Sequence, residues 1–292
     1  MSRYFFFSLF FGLITACVAT TLKPVAQGKP SMSSAAAPTA LPTKHSVASC
    51  QGTSRLLDVM IPSEALGETV SVRLYLPPCN PDDGASFPVI YLLHGASADE
   101  TQWDDVEVDE AADAGRTQGM LPPLILVFPR RTSDSLSVQP DGDLPFEHFV
   151  IAELLPWVEA HTPAQPDRDH RAIGGISRGG FWALEIAFHH PELFSEVGGH
   201  SPVVGKRDDL LSPAGLLASH PTALRRLRVW LDVGSEDSLG AGTANLAADL
   251  EAAAVPTEFE RWPGGHDRAY WRMHTVDYLA FYSATWVDHT GG

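Results

Sequence analysis

Three side chains, far apart in the chain, have the types and settings needed for acyl transfer. Ser177 lies in Gly175-Ile176-Ser177-Arg178-Gly179-Gly180, a Gly-x-Ser-x-Gly pattern. An apolar run from Arg171 leads into it, and a helical pattern, Phe181 to Phe188, follows. Strand, tight turn and helix is the setting in which such a serine is exposed at a strand's end. The flanking glycines relieve the crowding that Cβ atoms would cause in a strained turn. A serine hydroxyl is a weak nucleophile at neutral pH and needs a base, which in turn needs an orienting acid. Of the twelve histidines, His266 alone sits in a glycine-rich turn after the last strand pattern, Trp262-Pro263-Gly264-Gly265-His266-Asp267. His45 lies in an unpatterned N-terminal stretch. His148, His161, His170, His189, His190, His220, His274 and His289 fall on helices or polar turns and read as surface or satisfied core. His266 is assigned as general base and acid. An imidazole must be neutral to accept a proton, so such a site loses activity as pH falls below ~6.5.

The acid should lie between serine and histidine, just past a strand. Asp237, in Val233-Gly234-Ser235-Glu236-Asp237-Ser238, fits; Asp232 falls within the strand, and the Glu236 side chain should point elsewhere. The order serine, acid, histidine is that of α/β-hydrolases. A tetrahedral oxyanion needs two aligned N–H donors. Arg178 supplies one from its backbone, and Ala96, in the loop after the strand ending at Leu93, is the choice for the other. His94 is read as bracing that loop. The Arg178 side chain is open to an acidic substrate or a neighbouring carboxylate, the second being preferred.

These residues need elements to hold them. Arg55 to Ile61 and Thr69 to Leu76 alternate as two strands of a hairpin. Phe87–Leu93, Pro123–Phe128, Arg171–Ile176, Leu193–Gly199, Leu227–Val233 and Pro256–Arg261 read as further strands. Helical patterns fill Asp104–Arg116, Phe146–Ala160 (with Pro156 as a kink), the stretch from Phe181 to His190, Thr243–Ala254 and Arg268–Trp286. The alternation predicts an α/β fold: a mostly parallel central sheet, helices on both faces, and an N-terminal antiparallel hairpin. Pro202 to Arg226 is too short and polar for a large cap, so the pocket should be open, with the Pro129 to Pro145 loop as one wall. Trp103, Trp182 and Trp271 could line it or could belong to the core.

The chain has 292 residues, 44% hydrophobic and 19% charged, which suits one globular domain with extras. A net charge of −16 without a basic cluster argues against nucleic acid or an anionic membrane surface as partner. Arg3 precedes an apolar run, Tyr4 to Val18, too short for an ordinary span and shaped like a signal segment. It ends Leu13-Ile14-Thr15-Ala16-Cys17, which resembles a bacterial lipobox with Cys17 as the lipidated residue. Residues 1–17 thus read as a leader, 18–49 as an unfolded Pro/Ala/Ser/Thr-rich tether, and 50–289 as the domain. This predicts an exported chain, lipid-anchored in the bacterial envelope, or else periplasmic or secreted. Cys50 and Cys79 flank the open end of the hairpin and are expected to pair, stabilising by ~3.5 kcal/mol in the chain-entropy model. No metal or cofactor is expected; His266 and His274 lack a close third ligand in sequence.

Seven landmarks in order carry a resemblance. They are Tyr91-Leu92-Leu93-His94-Gly95, Glu153-Leu154-Leu155-Pro156, Gly175 to Gly180, Pro191-Glu192-Leu193-Phe194, Ser201-Pro202, Asp232 to Asp237 and Pro263-Gly264-Gly265-His266. From about Leu56 to Trp286 the chain resembles the putative-esterase family of α/β-hydrolases. That family includes esterase D (S-formylglutathione hydrolase), enterochelin, feruloyl and acetylxylan esterases, and mycolyltransferases. The resemblance implies a metal-free serine carboxylic-ester hydrolase with an acyl-enzyme intermediate, acting on a small-molecule or polysaccharide-linked ester. Its alternative is an acyltransferase to a sugar or lipid alcohol. Members often carry Met or Gln where this chain has Arg178.

Overall fold

The computed structural model describes residues 52–78, 84–131 and 144–286. The leader with Cys17, the tether, the Cys50–Cys79 pair and most of the 129–145 loop lie outside them. The eight-stranded sheet has the order β1-β2-β4-β3-β5-β6-β7-β8. β1 (Arg55–Ser63) and β2 (Glu68–Leu76) form the expected antiparallel hairpin, in register Arg55 to Leu76 through Ser63 to Glu68. β2 pairs antiparallel with β4 (Ile125–Pro129). From β4 on, all pairs are parallel: β3 (Val89–Leu93), β5 (Arg171–Ile176), β6 (Glu196–His200), β7 (Arg228–Gly234) and β8 (Thr257–Trp262).

The inner strands are apolar throughout because both faces are covered. On β3, Val89, Tyr91 and Leu93 enter one core and Ile90 and Leu92 the other, as a two-residue side-chain period requires. The first core is closed by α3 (Pro145–His148), α4 (Leu155–His161), α5 (Arg178–His189), α6 (Pro213–Ser219), α7 (Pro221–Leu224) and α8 (Gly240–Ala252). The second is closed by α1 (Gln102–Asp105), α2 (Val108–Thr117), α9 (Arg268–Met273) and α10 (Thr275–Ser283). Only α6 and α7, short helices absent from the sequence reading, occupy the 202–226 segment, so no large cap is present there.

Three predicted helices are interrupted. The Asp104–Arg116 pattern breaks at Glu107, which adopts φ 64°. Trp103, Val106 and Val108 are all fully buried. Residues two apart cannot share one face of a continuous helix, so the chain resets between Val106 and Val108. Between α3 and α4, Phe149–Leu154 forms a π-helical turn ahead of Pro156, whose ring and missing N–H disfavour a regular α-turn there. The last helix divides at His274, whose ring stacks on Trp262 with centroids 3.9 Å apart.

Beneath the site, Gly174 and Gly198 are register partners on β5 and β6. A Cβ on either would lie 1.7 or 2.0 Å from the Tyr282 hydroxyl, which crosses the sheet at that point. Gly174→Ala is therefore expected to destabilise the fold by about 2–3 kcal/mol through overpacking. Thermal unfolding should show a fall in Tm of roughly 5–10 °C; an unchanged Tm would show that Tyr282 does not seat on these glycines.

Candidate active site

β5 ends in the turn that carries Ser177, which sits at φ 58°, ψ −112°. A Cβ on Gly175 would lie 2.3 Å from the Gly179 carbonyl carbon, and one on Gly179 would lie 2.2 Å from the Leu93 carbonyl oxygen. Both obstacles are backbone and cannot swing aside. The glycines are thus what allow β5, the start of α5 and the end of β3 to meet. The turn is pinned by the Ser177 N–H donating to the His200 carbonyl at 2.8 Å, and by the Val203 and Phe181 N–H groups donating to the Ser177 carbonyl.

The loops after β7 and β8 are stapled to one another through their backbones. The Ser235 N–H donates to the Trp262 carbonyl at 2.7 Å and the Glu236 N–H to the Gly264 carbonyl at 2.9 Å. Gly234 must be glycine, since a Cβ there would lie 2.4 Å from the Gly264 carbonyl oxygen. These staples set Asp237 beside His266. His266 Nδ1 lies 2.7 Å from Asp237 Oδ2, and Nε2 lies 2.9 Å from Ser177 Oγ. The other Asp237 oxygen accepts the Leu239 N–H at 2.8 Å. The Asp237 carboxylate is fully buried, while the His266 ring is 35% exposed. Trp271 meets the imidazole edge-on at 5.1 Å.

The three residues singled out for a proton relay therefore meet in space. The loop after β3 also runs beside Ser177: a Cβ added to Gly95 would lie 3.7 Å from Ser177 Cβ. The Gly95 N–H is held by Gln102 Oε1 at 2.7 Å, which leaves that of Ala96 as the next one past β3. Arg178 is the first residue of α5, so its N–H has no acceptor within the helix. His94 is buried in the loop. It accepts the Arg131 N–H at Nε2 (2.9 Å), and its Nδ1 faces the Gly95 carbonyl at 2.7 Å. Burial holds its pKa below the usual histidine value, in keeping with a neutral brace.

The expectation of a carboxylate beside the Arg178 side chain is not met among the described residues. Its guanidinium instead lies over the Phe181 ring, 5.2 Å from the centroid. Arg131, 7% exposed, has its pKa lowered to about 10, first by burial and then by the nearby Arg178 charge. Of the two readings open for the tryptophans the structure bears out the core one: Trp103, Trp182 and Trp271 are buried, and Trp103 donates to the Leu93 carbonyl.

A second Asp–His pair lies under the first and was not anticipated. Asp232 Oδ2 lies 2.6 Å from His200 Nδ1 and accepts the Trp230 indole N–H; Oδ1 accepts the hydroxyls of Tyr270 and Tyr278 at 2.9 and 3.0 Å. His200 Nε2 faces Tyr282, not Ser177, so this pair belongs to the frame and offers nothing to the nucleophile. Burial first, then the Asp232 charge, raises the pKa values of all three tyrosines, which keeps their hydroxyls as donors. A signal was present in the sequence: Tyr270, His274, Tyr278 and Tyr282 recur every four residues, one polar aromatic stripe on a helical face. Tyr270 also packs under Gly264, joining this network to the His266 turn. The one grouping of possible metal ligands among the described residues lies at the far end of α5.

Comparison with known proteins gives a consistent assignment. Residues 63–282 match the family described as Putative esterase. Esterase Rv1288 of Mycobacterium tuberculosis (strain ATCC 25618 / H37Rv) is 27% identical over 250 residues, 70% of this chain and 54% of that protein. The iron(III) salmochelin esterase of Escherichia coli O6:H1 (strain CFT073) is 28% identical over 225 residues, 72% of this chain and 54% of that protein. The chain spans about half the length of the curated relatives it matches. Among solved structures, a ferulic acid esterase superposes with a TM-score of 0.70 at 24% identity, covering 80% of this chain and 98% of its own. The chain belongs to the Putative esterase family, and its fold is that of the α/β-hydrolases.

Proposed function

We propose that this chain is a serine esterase working through Ser177, His266 and Asp237, with an acyl-enzyme intermediate. The observation that carries the reading is the line of contacts from Asp237 Oδ2 through the imidazole to Ser177 Oγ, at 2.7 and 2.9 Å. A carboxylate only accepts hydrogen bonds, so Nδ1 carries the proton and Nε2 presents its lone pair to the serine hydroxyl. Ser177 Oγ bonds to the acyl carbon as its proton passes to Nε2. The carbonyl oxygen becomes an oxyanion, held by the Ala96 and Arg178 N–H groups, with the N-terminus of α5 adding a favourable field. The imidazolium returns its proton to the departing alcohol, leaving an acyl ester on Ser177. Water then repeats the sequence, with His266 as base and afterwards as acid, and releases the carboxylic acid.

The substrate is a small-molecule or polysaccharide-linked ester. The short, open 202–226 segment and relatives whose names specify salmochelin and ferulic acid esters support that class. The Arg178 guanidinium, which lies over the Phe181 ring beside Ser177 in sequence, would favour substrates carrying negative charge near the acyl group. The chain is exported and held at the envelope by a lipid on Cys17, a reading supported by the Arg3, apolar-run and Leu13-to-Cys17 pattern.

Two experiments test these proposals. Ser177→Ala should abolish hydrolysis of p-nitrophenyl acetate, and Asp237→Asn should lower kcat by about 10³–10⁴-fold by leaving the imidazole in the wrong tautomer; near-normal turnover in either would reject the relay. Cys17→Ser should move the protein from the membrane fraction to the soluble fraction, and unchanged pelleting would reject the lipid anchor.

A further inference from the structure

The end of α5 remote from Ser177 carries an unusual cluster. Glu185 and His189 stand four residues apart and so share one face of the helix. Glu147 of α3 comes up against that face. His189 Nδ1 lies 2.7 Å from Glu185 Oε1 and 3.2 Å from Glu147 Oε2, and all three donor atoms lie within 4.8 Å of one another. Glu185 is fully buried, yet neither of its oxygens has a properly directed hydrogen-bond donor. A buried carboxylate left that way is costly.

We propose that Glu147, Glu185 and His189 form a binding site for a divalent transition-metal ion, Zn²⁺ above all, that ties α3 to the C-terminal end of α5. Two carboxylates and a neutral imidazole balance a divalent charge and satisfy Glu185 at once. Mixed nitrogen and oxygen donors favour Zn²⁺ over Mg²⁺ or Ca²⁺. A tetrahedral zinc with ligands at ~2.0–2.1 Å keeps them roughly 3.4 Å apart, so His189 Nδ1 would part from Glu147 Oε2 by about 0.2 Å and from Glu185 Oε1 by about 0.7 Å. The supporting shell is already in place: His190 Nε2 lies 2.6 Å from the remaining Glu147 oxygen and would orient that ligand. A cavity of about 590 Å³, lined by Glu147, His148, His189 and His190 among others, opens beside the cluster and gives an ion an entry path and room for a water ligand. Along α5, Glu185 and His189 stand eight and twelve residues past Ser177, about 12 and 18 Å at 1.5 Å per residue, so the site is a structural tie and not part of the esterase chemistry.

The test is calorimetric titration of the chelator-dialysed full chain with ZnCl₂ and, separately, MgCl₂, with bound metal counted by mass spectrometry. One Zn²⁺ per chain is expected, with Mg²⁺ far weaker. Glu185→Gln and His189→Gln should each weaken the zinc by roughly 100-fold or more while p-nitrophenyl acetate hydrolysis, which also reports folding, is retained. Absence of bound zinc in the wild-type chain, Mg²⁺ binding as tightly as Zn²⁺, or wild-type affinity in both variants would each overturn the proposal. The wild-type titration decides the matter even if a variant fails to fold.

Discussion

The structure depends on a place where three stretches of backbone come closer than any side chain would allow. Gly175 and Gly179 let the end of β5 and the start of α5 fold against each other, and Gly179 lets both press on the end of β3. Ser177 takes the strain of that meeting at φ 58°. A bulky residue at either glycine would strike main-chain atoms, which have no rotamer to escape into. This contact fixes how far Ser177 stands from the loop holding Ala96, which in the proposed reaction is the distance between nucleophile and oxyanion donors. Catalytic power in acyl transfer comes largely from such fixed dipoles, so the constraint is chemical as much as structural.

Around that contact the frame is polar where a simple core would be greasy. Asp232 is wholly buried on β7, and an ionised carboxylate there would be costly alone. It is surrounded by an imidazole, an indole N–H and two phenol hydroxyls contributed by β6, β7, α9 and α10. The His200 carbonyl of the same frame takes the Ser177 N–H, and Tyr270 underlies the His266 turn. Ser177 and the turn that carries His266 are therefore supported from one buried centre. Hydrogen bonds specify direction in a way that apolar packing does not, which suits a frame that must hold an imidazole within a few tenths of an ångström.

Much of this was legible in the sequence. Strand positions followed from apolar runs such as Tyr91-Leu92-Leu93, since a strand covered on both faces needs no polar side. Ser177, Asp237 and His266 could be singled out because each stands just past a strand's end in a glycine-bearing turn. What could not be read depended on distance in three dimensions. The breaks at Glu107 and His274 arise from tertiary packing, which overrides a helical pattern that looks continuous along the chain. Asp232 looked like a rival acid; only the sheet register, which sets it across from His200, shows where it points. Glu147 lies thirty-eight positions before Glu185 and no motif joins them, so their approach became visible only once α3 was laid on α5.

α5 is the element that the molecule uses twice. Its N-terminus follows directly on Ser177, and its C-terminal half carries the buried carboxylate of Glu185. The claim on which the account turns is that the Ser177 hydroxyl is the activated group. Peptide mapping by mass spectrometry after exposure to a fluorophosphonate measures this directly. A single phosphonyl adduct on the peptide containing Ser177, lost when His266 is replaced by alanine, is the predicted result. An adduct on another residue, or undiminished labelling of Ser177 in the His266→Ala chain, would contradict it.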